Sequence, residues 1–193
     1  MQKVLIFHGW WNTNNDQYAC TSLLSNKLKS DWYDVVFDTI NYASWISIDD
    51  ILDKYPDDYD IVIWHSAGWF LALQYAQYHN IQRLILIAPC TSTKNFTDNF
   101  ISELEGEFDT NELQTFNNFH DHGIKHIDVN NNCENIIFVF GKFDESIDQQ
   151  VVDIYYKTYP KAEYIFLEAW HMGDSLEDWW DKVLQIYDKL ILN

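Results

Sequence analysis

The stretch that decides the fold is residues 60–76, DIVIWHSAGWFLALQYA. Its first part, residues 60–64, is an apolar run with the length of a buried strand, and residues 69–76 predict the helix that follows. The turn between them leaves Ser66 on a sharp corner. A serine hydroxyl is a weak nucleophile until a neighbouring base activates it. A strand–turn–helix corner exposes the Oγ atom and directs the helix N-terminus towards a developing oxyanion.

The corner resembles the nucleophile elbow of the α/β-hydrolases, whose usual pattern is G-x-S-x-G. Gly68 keeps the second small position, but Trp64 occupies the first, where a large side chain is awkward. His65 is expected to point away from the hydroxyl and to pack beneath a neighbouring strand. On the motif alone a second interpretation stays open, because serine also commonly caps helices at such boundaries.

The resemblance implies an acid and a histidine that follow Ser66 in the order Ser, Asp, His, each just after a later strand. Residues 135–140 predict an apolar strand, and Asp144 lies in the loop after it. Residues 163–167 predict the last strand, and His171 follows it. We therefore expect a catalytic triad of Ser66, Asp144 and His171.

The first predicted strand, residues 3–7, supplies the remaining part of the site. In this fold the loop after that strand gives one backbone N–H to the oxyanion hole, and the residue after the nucleophile gives the other. The resemblance therefore implies Trp10 and Ala67 as donors. His8 is expected to be structural and to hold this loop through a hydrogen bond. In order and length the chain resembles the small, nearly capless serine hydrolases, the group of the YdeN-type and retinoblastoma-binding serine hydrolases.

The chain length and the regular alternation of strands and helices predict one domain over residues 1–193. Strands alternate with helical stretches, which favours a three-layer α/β fold with a parallel sheet covered on both faces. The resemblance then implies that the first two strands of the full-size fold are missing. A final helix is expected from about residue 175 to 192. The six predicted strands are at residues 3–7, 34–38, 60–64, 83–88, 135–140 and 163–167.

The alternation of strands and helices is interrupted at residues 91–134. Residues 96–104 and 111–119 predict short helices. Two interpretations stay open: the segment is a small lid over the active site, or its helices cover one face of the sheet. It also contains His120, Asp121, His122 and His126, which we expect to face solvent, because a metal site needs three or four converging ligands. No metal and no cofactor are expected.

Charge and cysteine usage restrict partners and location. A net charge of −18 and a pI near 4.4 disfavour nucleic acid and anionic membranes. Three widely spaced cysteines, Cys20, Cys90 and Cys133, favour reduced thiols in a cytoplasmic protein. No signal peptide is expected, since the N-terminal apolar run has only the length of a strand. The expected partner is a small-molecule substrate, with the protein a monomer or a homodimer.

Aromatic residues make up 17% of the chain, and Trp11 and Trp170 flank the expected catalytic positions. They predict an apolar substrate pocket for an acyl chain or an aromatic group. The sequence thus favours a carboxylesterase-like serine hydrolase, with Asp148 as the reserve acid. Two alternatives stay open: a catalytically weak or inactive scaffold that acts as a binding module, which the bulky Trp64 favours, and an amidase or peptidase.

Overall fold

The structure is a computed structural model. It describes residues 1–9, 20–38, 40, 48–66, 69–89, 129, 132–144, 147, 149–170 and 179–191.

Six parallel strands form a single sheet in these residues. All six predicted strands are present, although two of them, at 81–87 and 133–141, begin two residues earlier than predicted. The strands are β1 (Lys3–Phe7), β2 (Asp34–Phe37), β3 (Ile61–His65), β4 (Ile81–Ile87), β5 (Cys133–Gly141) and β6 (Glu163–Leu167). The described helices are α1 (Cys20–Ser30), α2 (Ile48–Leu52), α3 (Trp69–Tyr78), α4 (Gln149–Thr158) and α5 (Trp179–Leu190).

The strands are continuous apolar runs because both faces of the sheet are covered. Successive side chains point to opposite faces, so each central strand contributes to two separate cores. Val62 and Trp64 join the core on the side of α2, α3 and α4, the α3-side core. Ile61 and Ile63 join the core on the side of α1 and α5, the α5-side core. The predicted three-layer arrangement is confirmed.

The strand order is β2-β1-β3-β4-β5-β6. The chain moves from β1 outwards to β2, then returns to the other side of β1 and proceeds through β3 to β6. The direction of strand order therefore reverses between β1 and β3. In open parallel sheets, ligands bind in the crevice at the carboxyl ends of the strands where this reversal occurs.

The predicted insertion, residues 91–134, falls almost entirely outside the described residues, as do the short helices expected at 96–104 and 111–119. Its last two residues, 133 and 134, are described and belong to β5. Cys133 pairs with Ile81 in the register of β4 and β5, and its side chain packs in the α3-side core. In the described part of the chain, no helix is long and apolar enough to cross a membrane.

Candidate active site

Ser66 lies directly after β3, at the carboxyl edge of the sheet and beside the reversal point. Its backbone has φ of 54°, in the left-handed region. For an L-residue other than glycine this conformation costs about 1–2 kcal/mol, because Cβ approaches the following carbonyl oxygen. Helix α3 begins at Trp69, three residues later. Ser66 itself thus has a strained backbone between β3 and α3, whereas a serine that only capped a helix would have β-region backbone angles.

Gly9 brings the loop after β1 into contact with this corner. The register pairs Phe7 with Trp64, so Gly9 comes opposite Ser66 at the edge of the sheet. A Cβ atom built on Gly9 would lie 3.1 Å from Cβ of Ser66 and 3.2 Å from Nδ1 of His65. The absence of a side chain at Gly9 thus permits the loop after β1 to approach Ser66 and His65 closely.

Trp64 does not obstruct the corner, contrary to what its position in the motif suggests. Its side chain is completely buried in the α3-side core, and its ring centroid lies 4.4 Å from that of Phe7. Because side chains alternate along β3, Trp64 packs on one face of the sheet and His65 points to the other. His65 is also buried, as the sequence predicts. The large residue therefore fills the core beneath the corner.

His8 holds the loop after β1, as predicted. It is fully buried, and its Nε2 atom accepts a hydrogen bond of 2.8 Å from the backbone N–H of Ile40. Its Nδ1 atom, which therefore carries the proton, donates to the carbonyl oxygen of Gly9 over 2.6 Å. Burial lowers the pKa of His8, partly opposed by the bond to Gly9. These two hydrogen bonds require a neutral imidazole, and they tie the loop after β1 to Ile40.

Asp144 follows β5 on the same edge of the sheet. Its backbone N–H donates to the carbonyl of Gly141 over 3.3 Å, and its Oδ1 accepts from the backbone N–H of Ile147 over 3.2 Å. Adjacent strands lie about 4.8 Å apart, so the ends of β3 and β5 are separated by roughly 10 Å. In a Ser–His–Asp triad the histidine lies between the serine and the acid, so the expected triad requires the loop after β6 to bring His171 between these two strand ends.

Trp170 lies after β6 and contacts the residue before Asp144. Its ring centroid is 5.7 Å from that of Phe143, and the two side chains are 49% and 47% exposed. The predicted pocket residue therefore stands at the rim of the sheet edge, paired with an aromatic residue that sequence reasoning missed. Phe143 directly precedes Asp144 in the sequence, and Trp170 directly precedes His171. These two neighbouring positions could have indicated the pair.

Several predicted site residues fall outside the described residues. The structure thus brings Ser66, Gly9, Asp144 and Trp170 to one edge of the sheet and leaves the position of the histidine as a prediction. Among the residues that it describes, no three His, Cys, Asp or Glu side chains are grouped so that they could hold a metal ion. The undescribed positions are His171, Trp10, Trp11, Ala67, Asp148, His120, Asp121, His122 and His126.

The sequence analysis did not single out two further residues at the carboxyl edge of the sheet, because their contacts are with residues distant in sequence. Gly141 ends β5, and a Cβ atom there would lie 2.5 Å from the carbonyl oxygen of Ala169. Ala88 follows β4 with φ of 46° and donates its N–H to the carbonyl of Val139 over 2.8 Å. An isolated glycine at a strand end, and an alanine before Pro89, were the only local signals.

Comparison with solved structures identifies the fold. The ydeN gene product of Bacillus subtilis is 13% identical, with a TM-score of 0.66 over 97% of this chain and 100% of the other. An esterase from Pyrococcus furiosus is 15% identical, with a TM-score of 0.66 over 98% of this chain and 82% of the other. Mouse alpha/beta hydrolase domain-containing protein 10 is 17% identical, with a TM-score of 0.66 over 97% of this chain and 88% of the other.

At the level of sequence, no protein-family model and no curated protein match the chain. The structural matches nevertheless extend over nearly its whole length. Together with the six-stranded parallel sheet, they show that the chain has the α/β-hydrolase fold, as its resemblance predicted.

Proposed function

We propose that the protein is a serine hydrolase that cleaves small carboxylic esters with apolar acyl or aryl groups. The observation that carries this proposal is the left-handed backbone of Ser66 at the carboxyl end of β3, beside the reversal of strand order. Strain of this kind persists at functional corners because the surrounding structure enforces it. The similar solved structures described as esterases and hydrolases support the same class.

In the proposed mechanism, His171 takes the proton of the Ser66 hydroxyl as Oγ attacks the ester carbonyl. Asp144 fixes the imidazole tautomer and stabilises the imidazolium. The backbone N–H groups of Trp10 and Ala67 stabilise the oxyanion. The alcohol leaves with the proton from His171, and an acyl-enzyme forms on Ser66. Water, deprotonated by the same imidazole, then releases the acid.

The charge of the protein selects among esters. A net charge of −18 repels anionic molecules from the surface and lowers their local concentration. The exposed aromatic rings of Phe143 and Trp170 favour apolar groups near the acid and the base. The proposed substrates are therefore neutral or cationic esters, in preference to esters that carry a carboxylate or phosphate.

The test combines labelling with turnover. A fluorophosphonate probe is expected to label the wild type at Ser66, located by mass spectrometry of the tryptic peptide, and to leave Ser66→Ala unlabelled. Ser66→Ala should also lose more than about 1,000-fold in kcat on a panel of aryl and short-acyl esters, since it removes the nucleophile. Esterase activity that persists in pure Ser66→Ala protein would refute the assignment.

A matched control is available on the surface of β4. Gln82→Ala changes an exposed residue near the amino end of that strand, opposite the proposed site, and should retain both labelling and turnover. The binding-module alternative predicts no labelling in either protein. Its main support was the bulk of Trp64, which the buried position of that side chain removes.

A further inference from the structure

The loop that carries Asp144 and the segment that leads to His171 are joined by a strap, residues 141–143 together with residues 167–170. We propose that this strap fixes the separation of the acid and the base, and that Gly141 is its positioning residue. The inference rests on the proposed function, in which Asp144 and His171 act as a pair. It assigns a role to a residue that neither touches the substrate nor belongs to the triad.

Backbone hydrogen bonds form the centre of the strap. The last register pair of β5 and β6 is Gly141 with Leu167. Beyond it, the N–H of Lys142 donates to the carbonyl of Leu167 over 2.8 Å, and the N–H of Phe143 donates to the carbonyl of Ala169 over 3.0 Å. The pairing of the two strands therefore continues until one residue before Asp144 and two residues before His171.

Gly141 sets how closely the two segments approach. A Cβ atom on it would lie 2.5 Å from the carbonyl oxygen of Ala169 and 2.6 Å from that of Trp170. Ordinary contacts of a Cβ atom begin at 3.4 Å. Both obstacles are backbone atoms, which no change of side-chain rotamer can remove. An alanine at this position would therefore push residues 169–170 away by about 0.9 Å, the difference between 3.4 and 2.5 Å.

Side chains reinforce the strap on its outer surface. Lys142 forms an ion pair with Glu168, and the ring of Phe143 contacts the ring of Trp170. The ion pair is exposed, and exposed pairs stabilise proteins little. The close backbone approach at Gly141 is therefore the contact that determines the geometry.

The consequence is catalytic, because His171 directly follows the residues that an alanine would displace. A misplacement of about 1 Å in an active site costs on the order of 100-fold in rate. Gly141→Ala is thus expected to lower kcat about 100-fold. KM does not distinguish the outcomes, because the same displacement also moves the predicted pocket residue Trp170. The signal that reports the pair directly is the far-downfield proton resonance of an imidazole N–H bound to a carboxylate.

The experiment compares the wild type, Gly141→Ala and Leu28→Ala. Leu28 is buried in the α5-side core near the amino edge of the sheet, so its truncation destabilises the protein at the end of that core opposite Leu167 and Ala169 of the strap. We expect the wild type and Leu28→Ala to show the downfield proton and similar kcat below their unfolding temperatures. Gly141→Ala should lose or shift the proton, lose kcat and change the acid limb of its pH–rate profile.

The outcomes separate this proposal from the proposed function. A Gly141→Ala protein with wild-type kcat and an unchanged downfield proton overturns the strap, whatever the substrate. A wild type without that proton also overturns it. A wild type that cleaves no ester, but whose downfield proton disappears in Gly141→Ala, supports the strap and refutes the proposed esterase activity.

A milder substitution serves if Gly141→Ala does not fold. Phe143→Ala removes the ring contact with Trp170 and leaves every backbone contact of the strap possible. Because those backbone contacts set the geometry, Phe143→Ala is expected to keep the downfield resonance and the slow hydrogen exchange of the residue 143 amide. Loss of both in Phe143→Ala would contradict the proposal, since it would show that the ring contact sets the separation of the acid and the base.

Discussion

Ser66→Gly should be more stable than Ser66→Ala, although glycine is usually less stabilising than alanine in regular secondary structure. Both substitutions remove the hydroxyl, so the pair isolates the contribution of Cβ. At φ of 54° the Cβ atom costs about 1–2 kcal/mol, which glycine does not pay. Glycine in turn loses about 0.5–1 kcal/mol more backbone entropy on folding than alanine. The difference leaves Ser66→Gly more stable than Ser66→Ala by about 0–1.5 kcal/mol, with a central value near 0.75 kcal/mol.

The control is the same pair of substitutions at Asp153, an exposed residue in the middle of α4. In an ordinary helix, glycine is about 1 kcal/mol less favourable than alanine. Asp153→Gly should therefore be less stable than Asp153→Ala, with the opposite sign to the pair at Ser66. The assay is urea unfolding followed by tryptophan fluorescence, with midpoints compared at equal m-values.

The reasoning fails if Ser66→Gly is less stable than Ser66→Ala by the same margin as at Asp153. That result would mean that the corner carries no backbone strain, and the main support for a nucleophile elbow would disappear. Turnover gives a second check: neither Ser66→Gly nor Ser66→Ala should cleave esters, since both lack the nucleophile.

Two further perturbations follow from the core beneath the site. Trp64→Ala should lower the free energy of unfolding by about 3–5 kcal/mol, because it empties a fully buried site against Phe7; a loss below 1 kcal/mol in urea unfolding would contradict this packing. Lowering the pH from 7 to 5.5 should destabilise the wild type more than His8→Asn. Burial lowers the pKa of His8 in the folded state. Below about pH 6.5 the unfolded chain therefore binds a proton that the folded chain does not, and the free energy of unfolding decreases as the pH is lowered. Parallel plots of urea midpoint against pH for the two proteins would show that His8 is not the titrating group.

Much of the fold could be predicted because its elements are encoded locally. Each strand is an apolar run whose length and flanking residues identify it without reference to the rest of the chain. The errors are at boundaries: β5 begins at Cys133, where the sequence suggested the end of an insertion. The strand–turn–helix pattern around Ser66 was readable for the same reason, since its three parts are contiguous.

The site was harder to predict where it depends on contacts between distant residues. His8 and Ile40 are 32 positions apart, and only folding brings the imidazole within hydrogen-bond distance of that amide. The sequence suggested a steric conflict between Trp64 and the turn at Ser66, because the motif does not specify which face of β3 the Trp64 side chain occupies. The role of Gly141 depends on the carbonyl oxygens of Ala169 and Trp170, which belong to a different strand end.

The sequence by itself determined the α/β class, the six strands and Ser66 as the expected nucleophile, because periodicity and turn chemistry act over a few residues. The order of the strands, the left-handed backbone of Ser66 and the close approaches at Gly9 and Gly141 were decided by the tertiary structure. Packing imposes them, since a strained corner and a missing Cβ gain their value only when another segment lies against them.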